Sequence, residues 1–306
     1  MEAPLIAEPV FSPRLWGSRD LRPFFAEPPD EPIGEAWLTA DSCRVLGKTL
    51  TLKQLAAEAA TELFGPGRPA QHTFPLLIKI LFPNDFLSVQ VHPDDAYARA
   101  HGWSGGKTEM WHILRAEPGA RIGLNLLPGK TLEELLAACR AGESRDLLEW
   151  HEPRERDTFF VPAGTIHALG PGLVLCEVQQ ASDVTFRLDD FGRRDAQGRL
   201  RELHLEHGLA VARPRTQAGR VGRHGGEKGM LLECEYFRVA VRELTGTAVS
   251  IPAGFRVLVP LTEGLRLSRP QSTPLPLRLA HAAILPASAG PWRLEGTGRA
   301  LDVTLP

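Results

Sequence analysis

Four side chains in this 306-residue chain have the types and spacing of metal ligands: Gln90 and His92 in SVQVHPDD, Glu109 in GKTEMW, and His167 in PAGTIHALG. Gln90 and His92 stand at i and i+2 in a stretch of β-formers, so both leave the same face of one strand. One amide oxygen, one carboxylate and two imidazoles make a mixed nitrogen–oxygen set, suited to zinc and compatible with Fe(II), Mn or Co. With no cysteine among the four, such a site stays open to substrate or water and does not close as a purely structural one. A single strand histidine is more often a satisfied core residue. The shared face of Gln90 and His92, with Glu109 soon after, sets this pattern apart.

A second polar run, EVQQASDVTFRLDD, follows His167. Glu177 and Gln179 share one strand face, and Asp183, Thr185 and Arg187 repeat at i, i+2, i+4. On a solvent face this stripe is ordinary; inside a barrel it is costly unless its charges are paired. The planar guanidinium of Arg187 suits an anionic oxygen or a phosphate. Lys107, two residues before Glu109, shares that residue's face.

The elements that position these groups are mostly short strands. Twenty-six prolines and 29 glycines favour strands joined by turns over long helices. Strands are expected at 34–38, 44–45, 74–82, 86–92, 109–114, 120–126, 157–161, 166–168, 173–179 and 184–188. The run FPLLIKILF at 74–82 reads as a strand buried on both sides, interrupted by Lys79. Helices are expected over 52–63 and 203–212, and one follows Thr131, whose hydroxyl and Glu134 form a capping box. A short helix starts at the Pro93-Asp94-Asp95 turn.

The length predicts two domains: a catalytic part over 1–215, a glycine-rich basic linker at 216–229, and a smaller all-β part over 230–306. A hydrophobic content of 43% and a charged content of 24% are those of a soluble globular chain. A net charge of −2 gives no field for nucleic acid or a membrane surface. Cys43, Cys139, Cys176 and Cys234 are scattered with no CxxC pair, which predicts free thiols in a reducing compartment. MEAPLIAEPVF has no basic segment followed by an apolar core, so no secretory leader is expected, and the chain reads as cytoplasmic.

Taken together, FPLLIKIL, FLSVQVHPDD, GKTEMWHIL, FFVPAGTIHALG, EVQQASDVTFRLDDFGR and RELHLEH resemble the type I phosphomannose isomerases, in their short bacterial form. The resemblance runs almost continuously over residues 5–215. It implies a mainly β fold: a cupin-type jelly-roll barrel with helical insertions, then a second, smaller degenerate jelly roll. It implies that Gln90, His92, Glu109 and His167 bind one zinc ion, and that Lys107, Glu177 and Arg187 line the substrate pocket. The implied reaction interconverts mannose 6-phosphate and fructose 6-phosphate through a cis-enediol. Glu177 and Lys107 are both candidates for the proton-transferring base. Arg187 would stabilise the enediolate or hold the phosphate.

The large helical domain of longer family members is missing, so phosphate contacts must come from elsewhere; Arg99, in the loops near 97–107, is one candidate. The competing readings are a metal- and sugar-binding cupin that senses without turnover, an isomerase of another sugar phosphate, and a cupin oxygenase with histidine in place of Gln90. The partner implied is a small sugar phosphate, and the sequence leaves monomer and dimer both open.

Overall fold

In the computed structural model, which describes residues 1–26, 30–67, 73–195, 197–221 and 229–306, the buried run around Lys79 becomes the strand Leu76–Leu81, buried at all six positions. It pairs antiparallel with Leu173–Gln180, where all eight residues are buried. These two strands lie inside a seven-stranded sheet in the order Gly219–Val221, Thr158–Val161, Glu109–Ala116, Leu173–Gln180, Leu76–Leu81, Ile33–Trp37, Val10–Ser18. Both faces of this sheet are covered, which explains why its inner strands lack simple polar–apolar alternation.

Period-two geometry sorts its side chains into two cores. Val174, Cys176 and Val178 join Ile78 and Ile80 in one core, together with Val239, Val257 and Val303 of an eight-stranded sheet. Leu175, Ile113 and Phe159 point the other way, onto Ile122, Leu124 and Leu169. The last three belong to a five-stranded sheet ordered Phe186–Asp189, Val89–Val91, His167–Leu169, Ile122–Leu126, Leu148–His151. The result is three stacked sheets with the seven-stranded one in the middle. The molecule is mainly β, as expected.

The helix Leu132–Ala141 carries the predicted capping box, with the Thr131 hydroxyl accepting from the Glu134 N–H and the Glu134 side chain accepting from the Thr131 N–H. Leu135 and Cys139 then pack on the outer face of the five-stranded sheet beside Val89, Val91 and Leu188.

Three expectations are revised. The helix expected over 52–63 breaks at Ala59 (φ −133°, ψ 39°) into Leu52–Glu58 and Ala60–Phe64, which turns Phe64 onto the rings of Phe74 and Phe255. Within the expected linker, Gly219–Val221 is a strand on the edge of the seven-stranded sheet, paired with Thr158–Val161; residues 222–228 lie outside the described residues. Leu5–Ile6, assigned to the first part of the chain, pairs with Ala283–Leu285 in the eight-stranded sheet. Pairing between segments so far apart leaves no local pattern for sequence reading to detect.

Candidate metal centre and active-site cavity

The four predicted ligands come together where the five- and seven-stranded sheets face each other. Gln90 lies in Val89–Val91, His92 follows that strand, Glu109 opens Glu109–Ala116, and His167 opens His167–Leu169 directly opposite Gln90. The Nε2 atoms of His92 and His167 lie 3.6 and 3.5 Å from the two Glu109 oxygens. The donor atoms of these three residues are all within 4.8 Å of one another. The Gln90 amide reaches to 3.1 Å from His167 Nε2. Its oxygen and nitrogen exchange on a simple flip, so it can present an oxygen to the same point.

The surroundings fit a divalent cation. His92 Nδ1–H donates to the Val184 carbonyl at 3.0 Å, and His167 Nδ1–H to the Thr165 carbonyl at 2.9 Å. Those bonds fix the tautomers and leave both Nε2 lone pairs aimed inward. Both Glu109 oxygens are buried and accept no hydrogen bond among the described residues; Lys107 forms an ion pair with Oε2 at 3.1 Å, and Oε1 faces His167 Nε2. A buried carboxylate left in that state is expensive unless a cation completes it.

The electrostatics agree. Burial, then the Lys107 ammonium, pushes the His92 pKa down. Burial and the neighbouring His92 take His167 down to about 3. Both rings are therefore neutral and able to ligate. Burial works to raise Glu109, but the Lys107 ammonium at 3.1 Å outweighs it and holds the carboxyl ionised. Burial likewise opposes the charge on Lys107, yet Glu109 and Glu177 raise its pKa and keep it an ammonium.

A cavity of about 340 Å³ opens beside this centre. Lys107, Glu177 and Arg187 all line it, as do Asp183 and Thr185, so the polar stripe faces inward and not to solvent. Glu177 accepts a 3.0 Å bond from Trp111 Nε1, and burial followed by the charge of Glu109 lifts its pKa to about 7. Gln179 does not line the cavity; its amide nitrogen donates to the carbonyls of Gln180 and Ser182. Arg187 is clamped by the segment behind it. Its N–H donates to His204 Nδ1 at 3.0 Å, the His204 N–H donates to the Arg187 carbonyl at 2.7 Å, and its Nη1 donates to the Glu202 carbonyl at 2.8 Å.

Sequence reading misses the charges behind and across from these residues. Lys79 is fully buried, donating to Asp183 at 2.7 Å and lying 3.7 Å from Glu177 and 3.8 Å from Glu35. Its signal is a lysine in the middle of an apolar strand, a position tolerated only when acids pair it. Arg14 lines the cavity from a segment without any motif, and Arg201 from the head of the RELHLEH run, where sequence reading assigned it no role. Arg99 does not: its side chain is 66% exposed and pairs with Asp95 at 3.6 Å.

The loops carrying the ligands are laced together. Asp95 Oδ1 accepts from the Gly106 N–H at 2.7 Å and from Gln180 Nε2 at 2.9 Å, while the Lys107 N–H donates to the Pro93 carbonyl at 3.0 Å. A Cβ on Gly106 would lie 2.6 Å from the Asp95 nitrogen and 2.7 Å from the Asp94 carbonyl carbon. These are main-chain atoms that cannot step aside. Gly106→Ala is therefore expected to cost about 1–3 kcal/mol of stability through overpacking. It should also lower turnover by shifting Lys107, measured by urea unfolding alongside initial rates. Unchanged stability and rate would show that the two loops can part freely.

Two facing β-sheets that hold a histidine–carboxylate cluster, with a polar cavity beside it, define a cupin with a metal-binding centre. A family model described as phosphomannose isomerase type I, catalytic domain, matches residues 8–114. The mannose-6-phosphate isomerase of Streptococcus mutans is 34% identical over 97% of this chain and 96% of its own. The crystal structure of mannose 6-phosphate isomerase from Bacillus subtilis superposes with a TM-score of 0.89 at 29% identity, covering 99% of this chain and 100% of that one. A solved mannose 6-phosphate isomerase bound with zinc and yttrium shares the fold at 17% identity, with a TM-score of 0.75 over 99% and 100% of the two chains. The chain belongs to the type I phosphomannose isomerases.

Proposed function

We propose that this chain is a metal-dependent aldose–ketose isomerase that interconverts mannose 6-phosphate and fructose 6-phosphate. Gln90, His92, Glu109 and His167 would hold one zinc ion; Mn, Fe(II) or Co are chemically acceptable substitutes. A relative of the same fold is bound with zinc. The observation that carries the reading is the buried Glu109 carboxylate, ion-paired to Lys107 but accepting no hydrogen bond among the described residues, between two inward-facing imidazoles and beside a cavity containing a carboxylate poised near neutrality.

When bound, the ion supplies Lewis acidity toward the sugar's oxygens and a template for their orientation. The protein's own groups handle the protons. Glu177, with its pKa lifted to about 7, is basic enough to accept the C2 proton and acidic enough to return it to C1. The C2–H electrons become the C1=C2 bond of the enediol while the C1 oxygen gains a proton; loss of the O2 proton and protonation of C1 complete the ketose. Lys107, kept as an ammonium by Glu109 and Glu177, is the donor to the sugar oxygen. Arg187 supplies positive charge to the anionic oxygens of the substrate.

The same reading assigns the enzyme to the cytoplasm. It is supported by the buried free thiols of Cys43, Cys139 and Cys176 and by a small charged substrate. No helix among the described residues is long and apolar enough to cross a membrane. The division into a catalytic part (1–215) and a C-terminal part (230–306) is likewise a proposal, supported by the eight-stranded sheet that gathers all strands from Met230 onward.

The decisive assay follows fructose 6-phosphate formation from mannose 6-phosphate before chelation, after it, and after zinc add-back. Activity should vanish and return. One equivalent of bound zinc without turnover would defeat the assignment and leave a sugar-sensing cupin or an isomerase of another sugar phosphate.

A further inference from the structure

Three guanidinium groups, those of Arg14, Arg187 and Arg201, line one cavity. They arrive from separate elements: the edge strand Val10–Ser18, the strand Phe186–Asp189, and the segment before the helix Leu205–Val211. Burial first, and then the neighbouring Arg201, lowers the pKa of Arg187; burial also lowers Arg201, with Arg193 and Arg14 adding to it against the pull of Asp190. The cations are thus near enough to repel one another.

Of the acids in the same lining, Asp183 accepts from Lys79 at 2.7 Å and Glu177 from Trp111. Glu35 is held by Arg14 at 3.0 Å and by Trp37 Nε1 at 2.6 Å. Asp190 Oδ1 is divided between Arg193 at 3.0 Å and Arg201 at 3.2 Å. Arg187 is bonded to a carbonyl, and its Nε is buried with no hydrogen-bond partner among the described residues. Like charges gathered at a cavity wall, with an unused buried donor, are a site awaiting an anion.

We propose that Arg201 and Arg14 are specificity-determining residues that, with Arg187, form a phosphate clamp for the substrate. Arg14 is anchored through Glu35 to the seven-stranded sheet and Arg201 through Asp190 next to the five-stranded one, so the clamp spans both walls. A sugar phosphate is a dianion near neutral pH, with three acceptor oxygens that match guanidinium forks. Asp190 is the positioning residue: its shared Oδ1 holds Arg201 toward the cavity. The clamp rests on the isomerase reading for its ligand, and it supplies the phosphate contacts that Arg99, exposed and turned away, does not.

The test compares metal-loaded wild type with Arg201→Gln, Arg201→Lys and Arg14→Gln. Losing a charge-assisted contact to phosphate should raise KM for mannose 6-phosphate about 10- to 100-fold. The inhibition constant of inorganic phosphate should rise in parallel, while kcat stays within about threefold because the chemistry lies at Glu177 and Lys107. Arg201→Lys should recover part of the loss as a point charge without the fork, and it carries the test if the glutamine variant does not fold.

Unchanged KM and inhibition constant, or a fall confined to kcat, would overturn the clamp. Should the wild type not isomerise mannose 6-phosphate at all, the isomerase reading fails on its own. Inorganic phosphate titrated against the fluorescence of Trp16 and Trp111, which line the cavity, then still decides the clamp. Weaker binding by Arg201→Gln supports it, and equal binding refutes it.

Discussion

Glu109→Gln is expected to strip the protein of its metal and reduce turnover to that of the chelated enzyme. Glu109 is the only carboxylate in the ligand cluster, and its two oxygens separately face the His92 and His167 rings at 3.6 and 3.5 Å. The amide is nearly the same size, so packing should survive and the loss is one of charge and of a lone pair. Removing even a hydrogen bond that supports a metal ligand costs about 10–100-fold in affinity; removing the anionic ligand itself should exceed that range. Lys107 would also lose its 3.1 Å partner and keep Glu177 and Asp183 to favour its charge. Zinc content after desalting, read with the unfolding temperature at increasing zinc, checks both points. Wild type should be stabilised by zinc through mass action and the variant should not. Stoichiometric zinc and normal rates in the variant would remove Glu109 from the centre.

Glu177→Gln should leave zinc in place and KM within a few-fold, while kcat falls by about 10²–10⁴, the usual contribution of a positioned proton-transfer group. The pH dependence identifies the group. Glu177 must be ionised to accept the C2 proton, so activity falls as pH drops through its pKa of about 7; a bound cation nearby moves that acid limb lower. The limb should be absent in Glu177→Gln. It should move to higher pH in Lys79→Gln, because a buried cation 3.7 Å from the carboxylate is what partly offsets its burial. A Glu177→Gln enzyme with wild-type kcat would transfer the base role to Lys107.

Those residues differ in how plainly the amino-acid sequence announces them. The proposed ligand set is legible because strand periodicity is local: Gln90 and His92 on one face, Lys107 and Glu109 on another, and the Asp183–Thr185–Arg187 alternation running along the cavity. The same rule explains a histidine that is not a ligand. Alternation along Glu109–Ala116 puts Glu109 and Trp111 toward the cavity and turns His112 away, into burial beside Thr158. Lys79 gives a weaker signal, a charge in an apolar run whose partners Glu35, Glu177 and Asp183 are scattered along the sequence. Arg14 gives none and Arg201 only its place at the head of RELHLEH, since only the stacking of the sheets brings them to one cavity. Proximity along the chain points to Arg99 for the phosphate contact, because its loop adjoins the ligands; in space the helix Asp95–Ala100 turns that side chain outward. Gly219–Val221 reads as linker because an edge strand of three residues carries too little pattern to outweigh its glycine-rich neighbourhood.

The pairing of Leu5–Ile6 with Ala283–Leu285 has a consequence for how the molecule is made. Leu5–Ile6 is synthesised long before the strand that docks it, so the eight-stranded sheet stays incomplete until Ala283–Leu285 has been made. At ordinary elongation rates the wait is on the order of tens of seconds. Through that interval the apolar face of the seven-stranded sheet formed by Ile78, Ile80, Val174 and Val178 lacks the partners that later cover it. The nascent chain is thus a natural client for chaperones, and its folding yield should respond to translation speed more than the finished enzyme's stability would suggest.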